Sequence, residues 1–372
     1  PYTASGFKAV GTLFNSLFGV DYHVAMIVGA VVIIGYTVLG GFLAVSTTDL
    51  IQSIVMSIAL VVIVFFGIQQ AGGWDVVMQN ASALPGYLNL ARGHNMATGE
   101  ASTYGALSIV STLAWGLGYF GMPHILLRFM AIRDENKLKI SRRIASVWVV
   151  ISMFVAILIG IIGYSVSLNG KIPVFSSSAE SETVIVQLAG LLSRHGVFFA
   201  LAAGVVLAGI LACTMSTADS QLLTAASSVS QDLLQDFFHV KMSEGASMLV
   251  ARGTVIAIAL VSVVLAWDPN SSVFTIVSFA WAGFGAAFGP VMLFALFWKR
   301  SNKWGALAGM ITGGVMVFAW KYLVRPIGGA WNIYELLPAF LVACVAIVAV
   351  SLATASPAQD ICDEFDAVKA VR

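Results

Sequence analysis

Nine apolar runs dominate the chain, at residues 23–41, 43–69, 106–131, 144–168, 197–234, 247–267, 272–298, 304–322 and 333–354. Most are about 20 residues or longer, the length a helix needs to cross a ~30 Å hydrocarbon core. Residues 1–18 read as the end of one more helix. A bilayer offers no water to backbone polar groups, so each run must satisfy them internally, as a helix. Composition agrees: 10% of the residues are charged, against about 25% in soluble domains. The expected fold is therefore an all-α polytopic membrane protein with about nine full transmembrane helices and part of another. The boundary at Gly40-Gly41 reads as a tight hairpin between two of them.

The connections carry less information, but they constrain partners and orientation. The net charge of +1 says nothing about nucleic acid, but there is no long basic run, and no nucleic-acid partner is expected. Cys213, Cys344 and Cys362 are far apart and suggest neither a disulfide framework nor a metal cluster. No leader peptide is visible ahead of the first apolar run. Basic residues concentrate in 132–143 (Arg133, Lys137, Lys139, Arg142, Arg143) and at Lys299, Arg300 and Lys303, which alternation places on one side with Lys241 and the tail. By the positive-inside rule that side is cytoplasmic. The polar, Gly-rich loop 70–105 is then external, as are the Asn80 and Asn270 sequons. Residues 1–355 form the membrane core and 356–372 a short cytoplasmic tail, and a short surface helix is expected near Thr183–Leu192.

The run from 197 to 234 is unlike the others. It carries Ser216, Thr217, Asp219, Ser220, Thr224, Ser227 and Ser228, most of them at steps of three, four and seven that share a helix face. Polar groups are costly inside a bilayer, and a carboxylate most of all. Isolated hydroxyls are common interhelical glue. Five hydroxyls and an acid on one face point instead to a cavity or an ion, and hard cations such as Na⁺ take oxygen ligands.

Three further segments stand out. In Gly40-Gly-Phe-Leu-Ala-Val-Ser-Thr-Thr-Asp49, with Gln52 and Ser53 one turn on, Asp49 is either an acid complementing a helix dipole, capped by Thr47 or Thr48, or a second cation ligand. In Trp115-Gly-Leu-Gly-Tyr119-Phe-Gly-Met-Pro123-His124, the aromatics and the proline are four apart and share one face of an α-helix. Gly116, Gly118, Gly121 and Pro123 weaken that helix in mid-membrane, where unwound backbone survives only against a cavity or inside protein. The G-x-G-x-x-G spacing at 116–121 is not a dinucleotide site, because the segment is membrane-embedded and no strand is expected before it. The Gly-rich run 278–290 suits close helix packing, or a moving helix hinged at Gly289-Pro290.

These motifs, with Arg128-Phe-Met-Ala, Met215-Ser-Thr217 and Ala280-Trp-Ala-Gly-Phe-Gly-Ala-Ala-Phe-Gly-Pro290, resemble the sodium:solute symporter family, in collinear order over nearly the whole chain. Within it they are most similar to members that carry proline. The resemblance implies a leucine-transporter-like fold of inverted repeats, here incomplete, because the family's N-terminal helices would precede Pro1. It implies a principal sodium site from the Cys213 carbonyl and the Ser216 and Thr217 hydroxyls, and a second sodium site at Asp49, Asp219 and Ser220. It implies a substrate cavity lined by Tyr2, Trp115, Tyr119 and Pro123. Asp219 departs from the proline-type pattern, which has a hydroxyl residue there, and the Thr-Ala-Asp-Ser form also occurs in relatives that carry monocarboxylates or pantothenate.

The function the resemblance implies is Na⁺-coupled symport of a small amino acid, L-proline first, in a plasma (bacterial inner) membrane. The partners are then the small-molecule substrate, sodium ions and the lipid bilayer. No bond is made or broken, so no enzymatic activity is expected. A monocarboxylate or pantothenate symporter and a transporter-like membrane sensor are the alternatives.

Overall fold

A computed structural model describes residues 1–96 and 98–370, and of residues 41–44 it describes no side chains. The helices begin with α1 (Tyr2–Phe18), α2 (Tyr22–Ala71) and α3 (Trp74–Ala83), followed by a small hairpin of β1 (Arg92–His94) and β2 (Ala101–Thr103). Next come α4 (Ala106–Leu113), a 3₁₀ segment (Ala114–Gly121), α5 (Pro123–Met130), α6 (Leu138–Leu168), α7 (Ser178–Ser181) and α8 (Val184–Ser193). The chain continues with α9 (Val197–Ser227), α10 (Glu244–Leu265), α11 (Val273–Phe297), α12 (Lys303–Ala319), α13 (Leu336–Ala353) and α14 (Gln359–Ala370).

Local chemistry explains the ends. The Asp21 carboxylate accepts the His23 and Val24 amides at the start of α2. Gly72, at φ 98°, closes the same helix in a left-handed conformation that suits glycine. Asn302 caps α12 by accepting the Gly305 amide. The first turn of α11 is capped from a distance: Glu182 accepts Ser272 Oγ at 2.7 Å and the amides of Val273 and Phe274 at 3.0 and 3.1 Å.

Among the described residues, eight helical stretches are long and apolar enough to cross a membrane: Tyr22–Gly40, Val45–Ala71, Glu135–Leu168, Val197–Phe237, Glu244–Leu265, Val273–Phe297, Lys303–Ile327 and Leu336–Ala353. The first two lie within α2, which runs as one helix from Tyr22 to Ala71, so the tight hairpin expected at Gly40-Gly41 does not form. The remaining expected span, 106–131, is present as α4, the 3₁₀ segment and α5 rather than as one helix. Gly116, Gly118, Gly121 and Pro123 account for the break, since glycine weakens a helix interior and proline starts a new one. The loop helix expected at Thr183–Leu192 is α8, but it is no surface helix: Val186, Leu188, Ala189 and Leu192 are buried.

The chain divides into two compact units. The first comprises Pro1–Asn89, His94–Ala101 and Ile132–Val277. One of its cores joins α1, α2, α9 and α10 through Phe7, Met26, Ile33, Leu222 and Ala259. A second core joins the latter half of α2 to α6, α8 and α9 through Ile63, Ile162, Leu188 and Val206. The other unit comprises Leu90–Gly93, Ser102–Ala131 and Ser278–Arg372. There Gly305 and Gly309 of α12 face Ile347 of α13 with no room for a Cβ, an example of small residues letting membrane helices approach closely. Large apolar side chains such as Leu39, Leu113 and Val345 remain exposed, as lipid-facing residues would. In the tail, α14 is tied back to Lys299 through Asp366.

Candidate functional site

The polar stripe is built on α9 in the first unit. Cys213, Ser216 and Thr217 lie on successive turns, and both hydroxyls donate to the Cys213 carbonyl at 3.3 Å. Three oxygens therefore converge at one point of an otherwise apolar helix. Cys213 is exposed and the two hydroxyl residues are half-buried, so this cluster is open to a ligand. A hard monovalent cation suits the set, because each oxygen keeps a lone pair and none is a strong base.

One turn on, Asp219 is fully buried and Ser220 nearly so. The Asp219 carboxylate accepts Tyr36 Oη at 3.0 Å and lies 3.4 Å from Ser220 Oγ. Ser220 Oγ also donates to the Ser216 carbonyl at 2.9 Å, linking this acid to the first cluster. Tyr36 Oη lies 3.3 Å from the Met215 carbonyl as well. Asp49, half-buried on α2, is close enough to act electrostatically on both Tyr36 and Asp219. Thr48 Oγ1 donates back to the Val45 carbonyl at 2.9 Å within a helix already under way. It does not cap a helix start, which removes the simple capping account of Asp49. Gln52 Oε1 is buried without a hydrogen-bond partner, an oxygen that a cation could use.

Tyr36 is the residue that sequence reasoning missed here. Its signal was a phenol inside the 23–41 apolar run, since a buried tyrosine hydroxyl needs a partner. Tyr2 begins α1 in the same unit, where its carbonyl accepts Ser5 Oγ at 2.6 Å. Beside it on α1, Thr3 Oγ1 donates to Oε1 of Gln221, the residue after Ser220 on α9, at 3.1 Å.

The aromatic residues belong to the other unit. Trp115 and Tyr119 sit on the 3₁₀ segment and Pro123 on the first turn of α5. They do not share the α-helical face that their four-residue spacing suggests. At three residues per turn, positions four apart point about 120° away from each other. Trp115 and Tyr119 converge instead on Trp281 of α11. Its ring stacks on Trp115 with centroids 5.4 Å apart and meets Tyr119 edge-on at 4.7 Å. Trp281 Nε1 also donates to the Trp115 carbonyl at 2.9 Å, satisfying backbone freed by the broken helix. Tyr119 keeps about half its surface exposed, at 48%.

Glycines make this meeting possible. A Cβ on Gly118 would overlap the Trp281 indole, and one on Gly121 would overlap the Phe284 carbonyl. A Cβ on Gly285 would lie 2.7 Å from Gly118 Cα. The Gly-rich run of α11 is thus a close-packing surface, and α11 runs unbroken through Pro290.

A cation-competent oxygen cluster in one unit, and in the other a broken membrane helix with an aromatic wall, are features of a membrane carrier. The comparisons with known proteins agree. The model of the sodium:solute symporter family matches residues 1–313, and this chain belongs to that family. It is a transporter rather than an enzyme, with sodium as coupling ion. The high-affinity proline transporter PutP of Bacillus subtilis (strain 168) is 39% identical over 368 residues, covering 98% of this chain and 72% of that protein. The sodium/proline symporter of Haemophilus influenzae is 40% identical over 368 residues, covering 98% and 70%. The osmoregulated proline transporter OpuE of Bacillus subtilis is 38% identical, covering 96% and 69%. A solved Na⁺-coupled sialic acid symporter, substrate-bound and outward-open, shares the fold with a TM-score of 0.72 at 17% identity, covering 96% of this chain and 72% of that one.

Proposed function

We propose that this chain carries L-proline across the membrane by Na⁺-coupled symport. The observation that carries the reading is the convergence of the Ser216 and Thr217 hydroxyls on the Cys213 carbonyl, within a chain whose relatives are named sodium/proline symporters. Sodium held by these three oxygens stabilises the state that binds solute. It acts only through its higher affinity for that state, and solute raises sodium affinity by the same factor. Tyr2, Trp115, Tyr119 and Pro123 are the residues we assign to the solute, with the aromatic faces packing the pyrrolidine ring. Asp49, Asp219 and Ser220 are assigned to a second cation. We place residues 1–355 in the membrane core, and loop 132–143 and the tail from 356 in the cytoplasm of a plasma membrane.

The deciding experiment is uptake of labelled proline into proteoliposomes with and without an inward Na⁺ gradient. Saturable uptake that collapses without the gradient is the expected result, and gradient-independent flux would sink the reading. Competition by unlabelled monocarboxylates and pantothenate tests the alternative suggested by Asp219.

Two outcomes follow from the assignments. Trp115→Ala and Tyr119→Ala each remove an aromatic wall and should raise the KM for proline about tenfold, in line with ~1–2 kcal/mol for a lost aromatic contact. Neutral substitutions at Lys137, Lys139 and Arg142 should leave KM alone, and equal effects from both groups would make the aromatics mere packing. Asp219→Ser should lower the ratio of charge moved per proline, or change the pH dependence of uptake, with proline specificity retained. Reversal-potential measurements at several pH values check this, and no change in either quantity would assign the Tyr36–Asp219 pair to helix packing.

A further inference from the structure

The turn between α12 and α13 holds an ion cluster that the proposed transport scheme does not use. Glu335 is 1% exposed, and its carboxylate meets Arg325 Nη1 at 2.8 Å and Lys321 Nζ at 4.0 Å. Arg325 Nε also donates to Asn332 Oδ1 at 3.1 Å. Lys321 Nζ lies 3.8 Å from the centroid of the Phe279 ring on α11. A buried carboxylate requires such partners, and here they fix both ends of the turn.

Tyr334 is the residue that this turn presents. Its backbone N–H donates to Ser111 Oγ of α4 at 2.7 Å. Its hydroxyl donates to the Ser278 carbonyl of α11 at 2.6 Å. Between those two anchors its ring stacks on Trp115, with centroids 5.8 Å apart and planes 17° from parallel. Trp281 stacks on the same indole. With both ends of Tyr334 tethered, its ring has little freedom, and neither does the indole against it.

We propose that Tyr334 is a positioning residue for solute recognition, holding the Trp115 indole in the orientation that solute meets, and that the Arg325–Glu335–Lys321 cluster holds Tyr334. The proposal rests on the assignment of Trp115 to the solute cavity. An indole ordered before binding spares solute the entropic cost of ordering it, so the effect falls on affinity rather than turnover. Sequence reading could not find this clasp, because Tyr334 is more than two hundred positions from Ser111 and Trp115 and sits at the edge of the last apolar run, where a tyrosine draws no notice.

The test compares Tyr334→Leu with Tyr334→Phe in the membrane-expressed chain, each scored for protein level, proline KM, Vmax and half-maximal Na⁺. The leucine variant should raise KM about tenfold, with Vmax per molecule and sodium dependence kept. Phenylalanine restores the ring without the Ser278 bond and should recover most of that loss. Glu335→Gln leaves every ring in place but weakens the turn, and should raise KM in the same direction; it carries the test if the leucine variant does not accumulate. Wild-type KM in both Tyr334→Leu and Glu335→Gln, or a fall in Vmax with KM unchanged, would overturn the proposal. A second readout needs no solute. The fluorescence contributed by Trp115, taken as the difference from Trp115→Phe, should become more quenchable by acrylamide when Tyr334 is leucine. Unchanged quenching would overturn the positioning role, whereas a wild-type chain that does not take up proline would overturn only the functional reading.

Discussion

Ser216→Ala and Thr217→Ala are each expected to raise the Na⁺ concentration for half-maximal uptake by about tenfold, and the double substitution by about a hundredfold. Each removes one of the three oxygens that meet at the Cys213 carbonyl. A polar contact to a charged partner contributes about 1.5 kcal/mol or more, which is the tenfold step. Surface expression should hold, because both hydroxyls bond only back to their own helix and no other helix loses a partner among these bonds. Thr217→Ser keeps the oxygen and should recover most of the loss. Since sodium and solute affinities are linked, proline KM at low Na⁺ should rise as well and return toward wild type at saturating Na⁺. The measurement is the sodium dependence of proline uptake at fixed membrane potential. Wild-type sodium dependence in both single variants would remove the site from α9.

The membrane spans could be read from the sequence because one physical constraint, hydrocarbon thickness, fixes both their length and their composition. The ends of 197–234 and 247–267 lie within a few residues of the corresponding helical stretches, Val197–Phe237 and Glu244–Leu265. The break in 106–131 was also visible, from the crowding of Gly116, Gly118, Gly121 and Pro123. Its 3₁₀ form was not. That form depends on Trp281 from α11 filling the space beside Gly118 and bonding the Trp115 carbonyl, a contact across 166 positions. The facial pairing of Trp115 with Tyr119 failed for the same reason, because it assumed the pitch of an α-helix.

The candidate site divides along the same line. Ser216, Thr217, Asp219 and Ser220 announced themselves by chemistry out of place, hydroxyls and an acid in an apolar run. Tyr36 and Tyr334 did not. Each is an aromatic residue near the edge of an apolar stretch, where tyrosine is unremarkable. What sets them apart is the partner of the hydroxyl, Asp219 in one case and the Ser278 carbonyl in the other. Periodicity ranks residues within one helix, whereas these two act between helices, and only tertiary packing shows which phenol reaches which oxygen.

Gly118→Ala should abolish most proline uptake while Gly116→Ala leaves it near wild type, although the two glycines lie in the same 3₁₀ segment. A Cβ at Gly116 meets no other atom within 4 Å, whereas one at Gly118 falls inside the Trp281 indole. That indole cannot yield freely. Its Nε1–H is bonded to the Trp115 carbonyl at 2.9 Å, its face is stacked on Trp115, its edge meets Tyr119, and the residue is 4% exposed. Backbone relief is closed as well, since Gly118 Cα already lies in close approach to Gly285. Overpacking of this kind costs about 1–3 kcal/mol. Here the strain would displace the two aromatics assigned to the solute, so the loss should show first in KM and then in Vmax, with protein still present in the membrane. Both alanines have similar helix propensity costs relative to glycine, so a difference between the variants isolates the Trp281 contact. Equal uptake by the two variants, at equal protein level, would show that the Trp281–Trp115 packing can relax without consequence, and would withdraw the aromatic wall from the transport mechanism.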